Sequence, residues 1–330
     1  MAERIATTVE IIDPGIQTTV QDLPGRTGLL DKGFFPAGPL DHLGFRAANT
    51  CVGNDPHAAA LEIPMGRFKA VLHSDMVLAV TGADGVTPAL DGQEIPRWEG
   101  VQARAGQQLN ISLTRGPGFR TYLAFAGGID VPEVLGSRAT YTTVELGGLD
   151  GRALRRGDRL TIGTGSGQCY RMPRDLRPSY ASEWEVEVVK GPHADPDFLT
   201  SADWANFTTA SWSVDLNSNR MGTQLNGPKF GWARSGGGVA GGHPSNVLDG
   251  PYPPGGVNIN GDRPVVLGPD GPTSGGFVVI ATVPRGGLWK MGQCRPGRDT
   301  IRFREVDIDQ AKRLAAEIDA HLEPDNLEKL

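Results

Sequence analysis

Glycine and proline recur along this chain at a density that leaves little room for long helices. The 330 residues include 46 glycines and 25 prolines, and only 38% of them are hydrophobic. Both residue types weaken helix and strand interiors and favour turns. The composition therefore predicts a mainly β fold, built from many short strands joined by tight turns.

Short segments with strand character occur in both halves of the chain. Each is rich in β-branched or aromatic residues and is bounded by Gly, Asp or Pro. The dipeptide Asp91-Gly92 predicts a hairpin turn between ALD and QEIP. Such spacing is typical of barrels and sandwiches. The predicted strands are Lys69–His73, Met76–Thr81, Gln107–Leu113, Arg120–Ala126, Glu185–Lys190, Pro264–Leu267 and Phe277–Val283.

Helical periodicity is convincing in only two places, Leu40–Cys51 and Ile308–Leu322. Asp41 is placed to cap the first helix, which Gly53 stops. The second has one apolar stripe, and Asp307 followed by Gln310 resembles a capping box. A lone apolar stripe needs a cover, so we expect this helix to dock on the body of the protein or on a partner.

A segment rich in Gly, Ser and Pro, Gly163–Ser182, predicts a domain linker because few contacts should cross it. We therefore predict an N-terminal β domain over residues 1–165 and a linker over 166–182. A C-terminal β domain follows over 183–306, and residues 307–330 form a terminal helix and tail.

Several protein classes are disfavoured by composition. No apolar stretch approaches the ~18 residues of a membrane span, and the N-terminus lacks the apolar core of a signal peptide, so a cytoplasmic location is expected. The net charge of −6 gives no reason to expect nucleic acid or anionic lipid as a partner. The three cysteines lack metal-ligand spacing, so reduced thiols are expected.

Absent motifs restrict the chemistry further. The chain has no GxxxxGK[ST] phosphate loop, no HExxH or CxxC pattern and no serine within GxSxG. We therefore predict no metal site, no nucleophile elbow and no ATP binding of the phosphate-loop kind.

One segment concentrates groups that suit a binding site. Gly227–Asp249, GPKFGWARSGGGVAGGHPSNVLD, sets two cations, a tryptophan and an HPSN sequence beside a run of glycines. Glycine is favoured where backbone approaches a ligand or takes positive φ. The alternative is an ordinary glycine-rich surface loop.

The chain as a whole resembles the allophanate hydrolase subunit 2 family, also called biotin-dependent carboxyltransferase subdomain A/B. The resemblance covers roughly Val9–Phe303 and follows several motifs in one order. They are IIDPGIQTTVQDLPGRTG (Ile11–Gly28), GPLDHLGFRAANTCVGN (Gly38–Asn54), YLAFAGGIDVPEVLGSRAT (Tyr122–Thr140), GGLDGRALRRGD (Gly147–Asp158), SNRMGTQLNGPK (Ser218–Lys229), GDRPVVLGPDGPTSGGF (Gly261–Phe277) and LWKMGQCRPGRDTIRF (Leu288–Phe303).

Within that family, GPKFGWAR, GGHPSN and GPDGPTSGGF are similar to the carboxyltransferase part of urea carboxylase. The chain departs from that pattern at Phe230, Thr273-Ser274 and Val247-Leu248 and has no Glu in its glycine run. The resemblance implies two cyclophilin-like β-barrel domains with few helices. It also implies transfer of a carboxyl group from carboxybiotin to the nitrogen of urea, guanidine or another amide.

Such a transfer needs a group that stabilises the migrating carboxylate and one that carries a proton. Arg234 suits the carboxylate because a planar guanidinium can fork onto two oxygens. Asp270 or His243 could take and return the proton. These three are the predicted catalytic residues. Alternatively, Asp270-Gly271 is simply a turn and Arg234 pairs with a carboxylate elsewhere in the fold.

Four further residues are predicted to bind substrate. Lys229 and Arg220 would add positive charge for the carboxyl group. Asn246 and Ser245 offer neutral donors and acceptors that fit the carbonyl and NH₂ groups of urea.

The resemblance also implies partners and cofactors. Biotin would arrive as carboxybiotin on a separate carrier, since no Ala-Met-Lys-Met attachment sequence is present, and a partner subunit would use ATP. Expected partners are an allophanate hydrolase subunit 1-like protein, a biotin carboxylase, a biotin carrier and a small amide substrate. Two other functions stay open: a subunit of ATP-dependent 5-oxoprolinase, and a non-catalytic antagonist of a kinase inhibitor.

Overall fold

A computed structural model describes residues 7–330. These residues form two compact units. The first comprises residues 7–26, Ala37–Tyr180 and Asp319–Leu330, and the second comprises Thr27–Pro36 and Ala181–Ile318. The predicted division at residues 1–165, 166–182, 183–306 and 307–330 stays a prediction.

Strands dominate both units, which confirms the predicted mainly β fold. In chain order they are β1 (Thr7–Asp13), β2 (Thr19–Gln21), β3 (Ala60–Pro64), β4 (Gly66–Leu72), β5 (Met76–Gly82), β6 (Pro88–Leu90), β7 (Gln93–Glu94), β8 (Gly100–Ala103), β9 (Gln108–Leu113), β10 (Arg120–Phe125), β11 (Arg159–Ile162), β12 (Tyr170–Arg171), β13 (Glu183–Lys190), β14 (Trp212–Val214), β15 (Gly222–Asn226), β16 (Asn246–Pro251), β17 (Gly256–Asn260), β18 (Arg263–Leu267), β19 (Ser274–Phe277), β20 (Val279–Thr282), β21 (Thr300–Glu305) and β22 (Glu328–Lys329).

The described chain has four α-helices: α1 (His42–Cys51), α2 (Ser201–Thr209), α3 (Arg285–Gln293) and α4 (Ile308–His321). The two predicted helices are confirmed as α1 and α4. The Asp41 carboxylate accepts the Gly44 N–H at 2.8 Å, and the side chains of Asp307 and Gln310 each accept the other's backbone N–H at 2.7 and 2.9 Å. Both predicted caps are therefore present.

The first unit contains a six-stranded sheet, β11-β1-β4-β9-β6-β7, and a five-stranded sheet, β2-β3-β10-β5-β8. Burial alternates along β4, where Phe68, Ala70 and Leu72 enter the core and their neighbours stay exposed or half-buried. Helix α1 packs against β5 and β10, which are buried along their whole length. The predicted Asp91-Gly92 turn joins β6 to β7, with φ of 50° and 83°.

The second unit contains a closed seven-stranded barrel, β13-β20-β17-β18-β15-β14-β21. Its strands pair antiparallel except for β13 and β21, which run parallel. Alternation along β21 places Ile301 and Phe303 in the interior and leaves Arg302 and Arg304 outside. A separate two-stranded sheet of β16 and β19 belongs to the same unit. It carries the features described next.

Within residues 7–330, no helix has both the length and the apolar character that crossing a bilayer requires.

Candidate functional site

The glycine-rich segment Gly227–Asp249, called the glycine loop below, runs from the end of β15 into β16 in the second unit. Aromatic packing anchors its entry: Phe230 stacks on the buried Trp212, with ring centroids 6.0 Å apart. The Gly231 N–H donates to the Asp203 carboxylate at 2.6 Å, and Trp232 Nε1–H donates to Asp262 at 3.2 Å. The loop therefore starts from a fixed point.

Arg234 links the first part of the glycine loop to its last part through hydrogen bonds. Its Nε donates to the Pro244 carbonyl at 2.8 Å, and Nη2 donates to the carbonyls of Pro244 and Asn246, the latter at 2.5 Å. Its guanidinium also lies 4.3 Å from the centre of the Phe198 ring. The guanidinium therefore binds backbone carbonyls of the loop, and its predicted role as a carboxylate ligand stays a prediction.

His243–Asn246, called the HPSN turn below, is closed by its own hydrogen bonds. The Asn246 side-chain oxygen accepts the His243 N–H at 3.2 Å, and the Asn246 N–H donates to the His243 carbonyl at 3.0 Å. The buried Ser245 Oγ lies 2.9 Å from His243 Nδ1 and accepts the Gly261 N–H at 3.2 Å.

These bonds fix which polar atoms the turn presents. The Ser245 backbone N–H donates to His243 Nδ1 at 3.1 Å, so the proton of the neutral ring is on Nε2. Because Asn246 Oδ1 accepts from the backbone, its Nδ2 amide is the half left for another partner. Within residues 7–330 no hydrogen bond engages His243 Nε2 or Asn246 Nδ2.

The glycines permit this close packing. A Cβ on Gly237 would lie 2.7 Å from the Asn246 carbonyl oxygen and 2.8 Å from the Asn246 Cβ. Gly241 has a φ of 139°, and a Cβ there would lie 2.9 Å from Asn246 Oδ1. Side chains at either position would displace Asn246, so the glycine run is required by the turn.

Two of the predicted site residues lie together elsewhere. The buried Arg220 guanidinium grips the buried Asp270 carboxylate through Nε and Nη2 at 2.7 and 2.8 Å. This geometry serves an internal ion pair, and the predicted roles of Asp270 as a proton carrier and of Arg220 as a carboxyl ligand stay predictions. Lys229 is exposed, and no described residue binds its ammonium group.

A cavity of about 1160 Å³ is lined entirely by residues of the second unit. Pro192, Pro251, Pro253 and Tyr252 form much of its wall, and we call it the proline-walled cavity. Strand β16 begins at Asn246 and ends in this wall. The HPSN turn and the cavity therefore lie at opposite ends of strand β16.

His193 lines the proline-walled cavity and is a candidate that the sequence did not single out. Its Nδ1 accepts the Val279 N–H at 2.9 Å, and its ring meets Phe198 edge to face at 4.7 Å. Burial lowers the pKa of His193, and the nearby charge of Arg234 lowers it further. The only sequence signal was a histidine within a GPHADP turn.

Comparison with known proteins agrees with this architecture. The family model described as "Carboxyltransferase domain, subdomain A and B" matches residues 32–305. The chain belongs to this carboxyltransferase family. The resemblance seen in the sequence is thereby confirmed.

Two groups of relatives stand out. Urea amidolyase of Saccharomyces cerevisiae is 43% identical over 93% of this chain, and a 5-oxoprolinase subunit of Escherichia coli is 34% identical over 92% of it. The crystal structure of Kluyveromyces lactis urea carboxylase matches with a TM-score of 0.92 and 38% identity over 98% of this chain.

Coverage differs between these relatives. The chain spans 17% of the yeast urea amidolyase, 29% of the crystallised urea carboxylase chain and 93% of the E. coli protein. It is a carboxyltransferase domain homologous both to urea carboxylase and to a subunit of 5-oxoprolinase, and its homologues are components of larger enzymes.

Proposed function

We propose that this carboxyltransferase transfers a carboxyl group from carboxybiotin to the nitrogen of urea or a related amide. In this proposal it acts with a subunit 1-like partner, a biotin carboxylase that uses ATP, and a separate carrier. The observation that carries the proposal is the HPSN turn, in which internal hydrogen bonds leave Asn246 Nδ2 and His243 Nε2 as donors.

The reaction exchanges a carboxyl group for a proton. A C–N bond forms at the acceptor nitrogen, which loses a proton, and the C–N bond to the donor breaks as the donor nitrogen gains one. Carboxybiotin would supply the carboxyl group when its carrier docks. The oxygens of that group need donors, and preorganised donors are effective where negative charge develops.

The residues of the second unit fit these demands in a way that differs from the prediction. Arg234 and Arg220 already bind internal groups, so neutral N–H donors hold the carboxyl oxygens. Asn246 and His243 contact the group being transferred. Arg234 and Ser245 position them, and Lys229 is the cation still available at the loop entry.

The proline-walled cavity lies at the other end of strand β16 from these donors. The proline-walled cavity, at about 1160 Å³, is large enough to hold a bicyclic ring next to a small acceptor.

The test is reconstitution of the full system with partner, biotin carboxylase, carrier, ATP and bicarbonate. We expect ATP-dependent carboxylation of urea, and a fall of about 10²-fold in the Asn246→Ala variant, as for loss of one well-placed donor. Asn206→Ala, an exposed asparagine on α2, is the matched control and should keep the parent rate.

Two results would contradict the proposal at different levels. Absence of carboxylation by the parent protein with any acceptor would refute the function. Full activity of Asn246→Ala would refute the site while leaving the function standing.

A second function is supported by the similarity to the E. coli 5-oxoprolinase protein. The two sequences are 34% identical over 311 residues, which include most of both chains. Offering 5-oxoproline to the same reconstituted system, with and without biotin carboxylase, distinguishes the two. Cleavage of 5-oxoproline without carboxylase and carrier would select this second function.

A further inference from the structure

The proline-walled cavity contains polar groups that the HPSN turn does not use. His193, Thr273, Ser274 and Thr282 line it, together with Asp31 and Asp249. Of the residues that the structure describes, none lining the cavity is a lysine or arginine. The lining therefore includes one imidazole, three Ser or Thr hydroxyl side chains, the phenol of Tyr252 and two acids.

The orientation of His193 is fixed from two sides. Its backbone N–H donates to the Val279 carbonyl at 3.2 Å, and its Nδ1 accepts the Val279 N–H at 2.9 Å. A backbone amide can only donate, so Nδ1 carries no proton and the neutral ring carries its proton on Nε2. Edge-to-face packing with Phe198 fixes the ring further.

The remaining ring nitrogen is a donor without an acceptor in the described chain. Nothing within residues 7–330 accepts a hydrogen bond from His193 Nε2, and the side chain is half-buried. Burial and Arg234 both lower the pKa of His193, which keeps the ring neutral and Nε2–H a plain hydrogen-bond donor. A carbonyl oxygen is the natural partner for such a group.

The charges around the cavity restrict what can bind. Asp31 and Asp249 repel anions, and no described lining cation offsets them. The same carboxylates accept N–H groups. A guanidinium ion would suit the acids, but it has no acceptor atom for His193. A urea or a simple carboxamide has both a carbonyl oxygen and several N–H donors.

We propose that the proline-walled cavity is the acceptor site, that it selects small uncharged amides, and that His193 Nε2–H donates to the acceptor's carbonyl oxygen. This inference rests on the proposed function and sharpens it. Ureas and carboxamides bind, whereas guanidinium and the anionic 5-oxoproline are rejected.

Binding is measured first, without turnover. The full chain labelled with ¹⁵N-histidine is titrated with urea, acetamide, guanidinium chloride or sodium 5-oxoproline, and the His193 resonance is assigned by its loss in His193→Gln. We expect saturable shifts of His193 Nε2–H with urea and acetamide only. The exposed His57 is the internal control. Equal shifts with guanidinium, or shifts that grow linearly with every ligand, would overturn the proposal.

Turnover supplies the second measurement in the reconstituted system. Loss of one hydrogen bond to a neutral ligand should raise KM for urea about tenfold in His193→Phe with little change in kcat. His193→Gln keeps a donor and should recover part of that loss, and His57→Gln is the matched control. An unchanged KM in an active His193→Phe enzyme refutes this inference alone. Saturable urea binding in a parent system that never carboxylates refutes the proposed function alone.

Discussion

The Arg220–Asp270 pair and the HPSN turn belong to the same unit, and the same kind of sequence argument selected both. In the pair, each charge satisfies the other, and both side chains are at most 6% exposed. In the turn, backbone groups bind one polar atom of the His243 and Asn246 side chains and leave the other without a hydrogen bond in the described chain. A residue type suited to catalysis becomes available only when its neighbours leave atoms unused.

The largest effect should come from breaking the buried pair. Removing one partner leaves the other charge buried and unpaired, so Asp270→Ala should lower the free energy of unfolding by about 3–5 kcal/mol. Denaturant unfolding followed by tryptophan fluorescence measures this. Replacing both partners by apolar residues, as in Arg220→Met with Asp270→Leu, should recover much of the loss. An Asp270→Asn protein of normal stability but without turnover would restore Asp270 as a proton carrier.

The next effect tests the turn by steric means. Gly237→Ala should push Asn246 out of place, since the new Cβ would lie 2.7 Å from its carbonyl oxygen, and carboxylation should fall by up to about 10²-fold. Gly242→Ala is the matched control because a Cβ there meets nothing within 4 Å. Equal activity of both variants would show that the position of Asn246 does not matter.

A smaller effect is expected at Arg234. Lysine keeps the charge but cannot grip the Pro244 and Asn246 carbonyls together, so Arg234→Lys should loosen the turn by about 1–2 kcal/mol. Hydrogen exchange of the His243 and Asn246 amides should rise accordingly, with about a tenfold loss of turnover. Lost turnover with unchanged exchange would mean that Arg234 contacts the carboxyl group, as the sequence predicted.

The smallest expected effect is on the stability of the protein at low pH. Burial raises the pKa of Asp203, but hydrogen bonds from Thr200 and from the Gly231 and Trp232 backbone outweigh it, so the folded pKa is lowered. The stability from this group is complete above its unfolded pKa of about 3.9 and is lost as pH falls below that value. Asp203→Asn should flatten this part of the acid-unfolding curve. An unchanged curve would show that the loop entry is anchored by aromatic packing alone.

Local signals predicted helices well where caps and periodicity agreed, and failed where packing decided. Helices α1 and α4 carry their caps in the sequence. Helix α3 contains Gly286 and Gly287, which disfavour helix. A Cβ on Gly286 would lie 2.6 Å from the Leu314 Cβ, so α3 exists because it packs closely on α4. For α2, the Thr200–Asp203 capping box was present but the apolar pattern was weak.

The features of the candidate site also divide into those that local sequence predicts and those that depend on tertiary packing. The HPSN turn could be predicted because its glycines and its short-range hydrogen bonds are local in sequence. The ion pair of Asp270 could not be predicted, because its partner Arg220 is 50 residues away. Nor could the sequence identify His193, because Val279, whose backbone fixes its ring, is 86 residues away.

By itself the sequence determined the β character of the chain, its family, two helices with their caps and the place of the glycine loop. These depend on turn chemistry, periodicity and motif order, which act over a few residues at a time. Tertiary structure alone decided which charges neutralise one another, which donors stay unpaired and which walls enclose a cavity. The barrel brings distant strands together, and burial makes each unused polar atom either costly or available to a ligand.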